Sequence, residues 1–550
     1  MTEITCNLKA IHNKTGLDVK NSLLYAHMDL DSTEYSSPVM VETGDGKAYL
    51  LVKDIERGNF DEKDLAAEVL YFKPYVTFDR DVTPLPADWI ELVDRLVDGE
   101  VLVCDDFYTS GYWKISDRYN TRVKATGRWD RTYVYSVDRQ QVLSRFAAGN
   151  GAALEEARRL VTGLSQQEEL SDLLAGIPGD ARFARLDSML EDLGVGALLL
   201  SSPLNVQEVS AIPFQCLEAN ETLALYSPQR PIYIYSRKAL SLPFLKLEAI
   251  YPTLAVAAAR TLQAKTPVGI EENHLPYKYF TAFGLKREKT VQMSGPLRTW
   301  RETRAVEDLP FYIIAAQATR YGMERAIGRA GADLAEGNDL TESKVQEYLF
   351  RAYGEFQQNN LLREDIRPYF LVLHAGHRTR KPSLPSFISL GKETRSLKID
   401  SGVMVFDGMG LLRGASDLCR MLVLGKVAQE FYRFIDEIML TRAIPAVLPG
   451  RTGDQVYWDG VKDLVAREKD WVEMGLLPAG YDLANNYNRN IGHAMGRQEP
   501  ATLGFEKGNN YTVQEGMVCC VEYQWPYYPY AIGVEDMIVV TAKGPVNITR

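Results

Sequence analysis

At 550 residues the chain exceeds what one hydrophobic core ordinarily serves, so two to four domains are expected. Apolar residues make up 46% and charged residues 25%, a globular composition that excludes a disordered chain. The formal net charge of -11 argues against a nucleic-acid partner, which would demand basic patches, and the lack of any apolar run of about eighteen residues argues against a membrane partner.

In chain order, residues 22–53 read as strand-like runs, SLLYAHMDL and then SSPVMVETGDGKAYLLV, with Asp45-Gly46 as a hairpin turn. The opening MTEITCNLKAIHNKTG lacks a basic-then-apolar leader pattern, which predicts a cytoplasmic location. Residues 166–179, polar and closed by Ile-Pro-Gly, read as a connector that places a boundary near residue 172. Beyond it, RFARLDSMLEDLGVGALLLSS gives an amphipathic helix, a glycine break and a buried strand, followed by SPLNVQEVSAIP and PIYIYS. After Pro296 a long helical pattern begins with LRTWRETRAVEDLPFYIIAAQATRYGMERAIGRAG. A second helix follows in LTESKVQEYLFRAYGEF, with Thr341 as its N-cap. From Arg367 onward strands dominate: PYFLVL, VMVFDG, MLVLG, GMVCCVEYQW and DMIVVT. The expectation is an α+β chain with domains at 1–172, 173–295 and 296–550.

Six histidines and six scattered cysteines (Cys6, Cys104, Cys216, Cys419, Cys519, Cys520) disfavour polyhistidine or thiolate sites and point to a reducing compartment. Carboxylates dominate the potential ligands, which favours a hard or borderline cation. Asp407 ends the strand VMVFDG, and Asp417 opens the next one. Glu522 lies inside GMVCCVEYQW, Glu535 just before DMIVVT, and His493 in NRNIGHAMG. Acids on buried strands are costly unless paired or metal-bound, so the group suggests a metal site. Taken singly, Asp417 could cap a turn, Glu535 could pair with Arg420 and His493 could be a satisfied core histidine. The glycines Gly408, Gly410 and Gly414 read as a hairpin turn rather than a nucleotide loop, and YQWPYYPY as a packed loop or a pocket lining.

The order Asp, Asp, His, Glu, Glu, within FDGMGLLRGASD, IGHAMG, EGMVCCVE and GVEDMIVVT, resembles the pita-bread metallopeptidase family of methionine aminopeptidase, aminopeptidase P, prolidase and creatinase. Its motifs run D-x-G…D, GHG-hydrophobic-G, GM-V-hydrophobic-E and E-D-hydrophobic-V-hydrophobic-T. Upstream, LRTWRETRAVEDL resembles the helix opening that family's catalytic domain. ARLDSMLEDLGVGALLLSSPLNV resembles the creatinase-type N-terminal domain, of which residues 1–172 look like a second copy. The resemblance implies a pita-bread catalytic domain holding one or two divalent ions, manganese first, with iron, cobalt or zinc as alternatives. Asp407 would be a bidentate ligand, Asp417 and Glu535 would bridge, and His493 and Glu522 would be terminal, with Glu522 also carrying a proton. It further implies a homodimer acting on a small molecule or short peptide.

The chain departs from the peptidase pattern in its histidines. Leu390 stands where a substrate-binding His is expected, with His374 and His377 further upstream. Beyond His493 stand Gln498 and Glu499 in place of a second His, and Arg489 lies four residues before it. Arg489 could hold a substrate carboxylate, and by analogy with dimethylsulfoniopropionate lyases Glu499 could serve as a base. The leading expectation is an aminopeptidase P- or prolidase-like amide hydrolase. The alternative is a lyase or creatinase-like C–N hydrolase on the same fold, and a third reading is a ligand-losing binding module like those of histone chaperones.

Overall fold

The computed structural model describes residues 131–218, 221–262, 267–376, 396–487, 490–496, 503–525 and 531–550, together with the backbone of four strands before residue 52. Those strands are β1 (Thr2–Thr5), β2 (Val19–Ala26), β3 (Val39–Thr43) and β4 (Ala48–Leu51), an antiparallel meander in that order. β3 and β4 pair from Glu42↔Ala48 onward, and the expected Asp45-Gly46 turn lies outside the described residues.

The chain divides into two compact units. The first comprises residues 1–141, 187–212 and 216–294. Its main sheet contains β5 (Thr132–Val137), β6 (Ala197–Leu200), β7 (Thr222–Tyr226), β8 (Ile232–Ser236), β9 (Lys246–Tyr251), β10 (Val268–Ile270) and β11 (Thr290–Gln292). They run in the order β11-β10-β6-β7-β8-β5-β9, with β10 parallel to both neighbours. Because β5 lies between β8 and β9, this sheet draws on both sides of the expected break at residue 172. The expected connector there is instead the helix Gln167–Ala175, whose Leu170 and Leu174 are buried. That i, i+4 apolar pair is a one-face helical signal which the polar flanks masked. A Cβ on Gly269 would press on Met293 Cγ at 2.7 Å and Leu198 Cδ1 at 3.0 Å, so the close packing beside β10 favours glycine there. Leu199, Leu225, Tyr235 and Ile270 centre its core.

The second unit comprises residues 142–186, 213–215 and 295–550. Its sheet contains β12 (Asp365–Ala375), β13 (Leu397–Phe406), β14 (Leu412–Ala415), β15 (Leu418–Leu422), β16 (Gly492–Ala494), β17 (Val518–Trp525), β18 (Ile532–Thr541) and β19 (Gly544–Asn547). The path is β12-β13-β15-β18-β17-β16, with β14 beside β13 and β19 beside β18, all antiparallel.

Helices cover one face of this sheet. Leu309–Glu336 begins with Pro310 and ends at Gly337, whose φ of 74° is the left-handed C-cap conformation that favours glycine. Glu342–Asn359 starts at Thr341, whose hydroxyl accepts from the Lys344 N–H. Its Tyr353 hydroxyl meets Ser401 of β13. Along β17 the odd positions Cys519, Val521, Tyr523 and Trp525 enter the core with Phe431, Trp471 and Leu464. Period-2 alternation therefore turns Cys520, Glu522 and Gln524 to the opposite face.

Candidate metal centre

The polar face is built by register. Asp400 of β13 lies opposite Cys419 of β15, Cys419 opposite Glu535 of β18, and Glu535 opposite Glu522 of β17. The row thus crosses four strands. Next to it, His493 of β16 lies opposite Cys520, and Asp417 immediately precedes β15. Two glutamates directly opposite on antiparallel strands repel one another unless a cation lies between or one is protonated.

Ligand atoms of Asp417, His493, Cys520 and Glu535 lie within 4.8 Å of one another, and all four residues are buried. His493 Nε2 is 3.5 Å from Asp417 Oδ2. Its Nδ1 is 3.2 Å from the Ala494 carbonyl, a contact that puts the ring proton on Nδ1 and leaves the Nε2 lone pair for the cluster. The Cys520 thiol donates to the Asp417 carbonyl at 3.6 Å. Glu535 is 1% exposed, and its Oε1 has no hydrogen-bond partner among the described residues. A buried anionic oxygen left so is what a cation would satisfy.

Burial, together with Asp400 and Asp417, pushes Glu522 up to about 7, opposed by His493 and by a hydrogen bond from Gln524. Burial and the surrounding carboxylates of Asp417, Glu522 and Asp400 push Glu535 well above the ordinary carboxylate range. The Gln524 amide donates to Glu522 Oε2 at 2.9 Å and accepts from Lys398 Nζ at 2.5 Å. Lys398 Nζ also lies 3.2 Å from Asp400 Oδ2. Gly533, opposite Gln524, leaves room for that amide, since a Cβ there would press on Gln524 Oε1.

Asp407 does not join this group, which corrects the expected ligand order. It sits at the tip of the β13–β14 hairpin, where Oδ1 accepts from the Met409 and Leu411 N–H groups and Oδ2 pairs with Arg413 Nη1 at 3.1 Å. Arg413 is held in turn by Asp308 and the Phe146 carbonyl. Asp407 is therefore a turn residue, satisfied by two amides and a guanidinium. The strand residue facing the cluster is Asp400. The sequence carries a signal for it, because Asp400-Ser401-Gly402 is a D-x-G triplet whereas Asp407 is followed by Gly408-Met409. Gly402 is required there, because a Cβ would strike the Ser416 carbonyl.

The thiol of Cys520 lies among these potential ligands, and the alternation of β17 separates it from core-facing Cys519. Arg420 pairs with Asp536 and with the Glu535 carbonyl, leaving the Glu535 carboxylate to the cluster. His374 is buried opposite Lys398 of β13, with its Nδ1 3.6 Å from Glu342 Oε2. His377, Arg489 and Glu499 lie outside the described residues. A surface cavity of about 440 Å³ near Arg442 and Arg451 is lined by none of these groups, and its arginines pair with Asp463 and Asp459.

The family model for metallopeptidase family M24 matches residues 313–542, the span that carries the cluster and every strand of this sheet but β19. The C-terminal domain belongs to the M24 family. Its pita-bread fold is shared with solved structures of low sequence identity. Prolidase from Pyrococcus horikoshii OT3 has a TM-score of 0.50 and 15% identity over 68% of this chain and 98% of that one. An Escherichia coli aminopeptidase P variant in complex with substrate gives 0.50 and 14% over 67% and 94%. The N-terminal domain of the FACT complex subunit SPT16 from chickpea gives 0.52 and 14% over 67% and 95%. No curated protein sequence matches. At these identities the likeness is one of fold.

Proposed function

We propose that the M24 domain is a metal-dependent hydrolase acting on an amide bond of a small molecule or short peptide. The observation that carries this reading is the convergence of Asp417, His493, Cys520 and Glu535 within 4.8 Å, with Glu522 directly opposite Glu535. The orphaned Glu535 Oε1 and the aimed Nε2 of His493 fit a divalent ion. Mixed oxygen, nitrogen and sulfur donors favour zinc or iron over manganese, whose preference is for oxygen. Such an ion supplies Lewis-acid polarisation of a carbonyl and a lowered pKa for water.

The protein's own residues do the remaining work. Glu522, directly opposite Glu535, is placed to take up a proton and pass it to a leaving amine. Gln524 fixes the Glu522 carboxylate through its amide N–H, so the proton is held at a defined place. His493 is locked in one tautomer by the Ala494 carbonyl. Among the described residues the cluster has one histidine, His493. This sparseness supports a second reading, a lyase or C–N hydrolase in which Glu499 acts as base and Arg489 holds a carboxylate.

The test is elemental analysis followed by turnover on Xaa-Pro dipeptides and on small amides and carboxylates. Hydrolysis that depends on added metal is expected. Glu499→Gln with intact peptide turnover removes the second reading, and a metal-loaded protein inert to every amide removes the first. If the peptidase reading holds, His377→Ala is expected to lower peptide turnover roughly 10²-fold.

A further inference from the structure

The ligand atoms that converge do not include those of Asp400, although Asp400 stands in the same transverse row. Its Oδ2 faces Lys398 Nζ at 3.2 Å and the Gln524 amide nitrogen at 3.5 Å. Lys398 is two residues before Asp400 on β13, hence on the same face of the sheet. It is only 7% exposed. An ammonium is strongly hydrated, and its burial requires anionic partners. The Asp400 carboxylate is such a partner: burial alone would push Lys398 down, yet the groups around it, Cys419, Asp400 and Glu522, raise it above its ordinary range. It is therefore a fixed positive charge among the carboxylates, anchored at its tip by the Gln524 carbonyl oxygen.

Four carboxylates, Asp400, Asp417, Glu522 and Glu535, share this face. One of them is neutralised by the ammonium, and the rest surround the His493 and Cys520 side. A second divalent ion would have to take the Asp400 carboxylate from Lys398 and would then lie within a few ångström of a buried like charge.

We propose that Lys398 is a built-in monovalent cation standing in place of a second metal ion, so that the cluster holds one divalent ion on Asp417, His493, Cys520 and Glu535. The inference rests on the metalloenzyme reading above and gives it a nuclearity. Lys398 acts as a positioning residue: it fixes Asp400 and, through Gln524, Glu522.

The measurement is the metal-to-protein ratio of the full chain after saturation with zinc or manganese and removal of free ion, read with thermal denaturation against metal concentration. Wild type is expected to retain about one equivalent and Lys398→Arg about one. Lys398→Met and Lys398→Gln are expected to retain about two, with a larger metal-induced rise in melting temperature than wild type. A wild-type ratio of two overturns the assignment while leaving the metalloenzyme reading intact, as does a folded Lys398→Met or Lys398→Gln that stays at one. A wild-type protein that retains none overturns both. The wild-type ratio decides even where a neutral variant fails to fold.

Discussion

Both units bury glutamates at the ends or middles of strands, and they deal with them in opposite ways. In the first unit Glu271, just past β10, accepts from the Ser201 and Ser202 N–H groups at 2.5 and 2.9 Å and from the Asn205 amide. Its neighbour Glu272 accepts from the Met293 and Ser294 N–H groups. These carboxylates serve as acceptors that tie loops and a helix start to the sheet. In the second unit Glu535 faces another glutamate and keeps an oxygen without a hydrogen-bond partner among the described residues. Burial of an acid is thus no sign of chemistry by itself. The sign is burial without donors, among other acids.

The largest test of this contrast removes a ligand. His493→Ala or Asp417→Ala is expected to weaken metal binding by at least about 10²-fold and to abolish metal-dependent turnover. Calorimetric titration checks it, and retention of tight binding in either variant would mean the ion sits elsewhere. Asp407→Ala is expected to behave in the opposite manner. It should cost about 3 kcal/mol of stability by stripping Arg413 and two amides of their acceptor, while leaving the metal ratio unchanged. Denaturant unfolding beside elemental analysis separates the two effects.

A smaller effect sets the two units directly against each other. Glu271→Gln should destabilise by about 1–3 kcal/mol, because a charged acceptor of three donors is lost. Glu535→Gln should stabilise the metal-free protein, because a like-charge contact disappears, and should lower metal affinity. Equal signs for the two in metal-free protein would erase the distinction.

The smallest effect is the pH dependence. Glu522 is raised from 4.5 to about 7, so between those values the folded state binds more protons than the unfolded one. Stability of the metal-free protein should therefore fall as pH rises from about 4.5 to 7, and Glu535, raised in the same direction, adds to the fall. Saturating metal should flatten or reverse this trend, as melting curves across that range will show.

Much of the sheet and its helices was legible in sequence because period-2 and period-3.6 patterns are local. PYFLVL and DMIVVT lie within strands, VMVFDG, MLVLG and GMVCCVEYQW overlap strands, and the Thr341 cap reports its helix directly. Three of the four converging residues, Asp417, His493 and Glu535, were also visible, each as a polar residue in an apolar strand context. Asp407 misled because its strand VMVFDG is equally apolar, while its carboxylate is spent on a turn and on Arg413. That choice depends on a guanidinium six residues away and on Asp308, a hundred residues upstream.

The sequence by itself therefore determined the α+β class, the M24 resemblance and the strand positions of most potential ligands, since each depends on composition or on neighbours along the chain. Only the tertiary structure decided which acids share a face. Register places Glu535 opposite Glu522 and Asp400 two strands away from Glu535, turns Cys520 rather than Cys519 toward His493, and brings Lys398 onto Asp400. The physical reason is that a one-residue slip in pairing sends a side chain to the other face of a sheet, and pairing is fixed by strands distant in sequence.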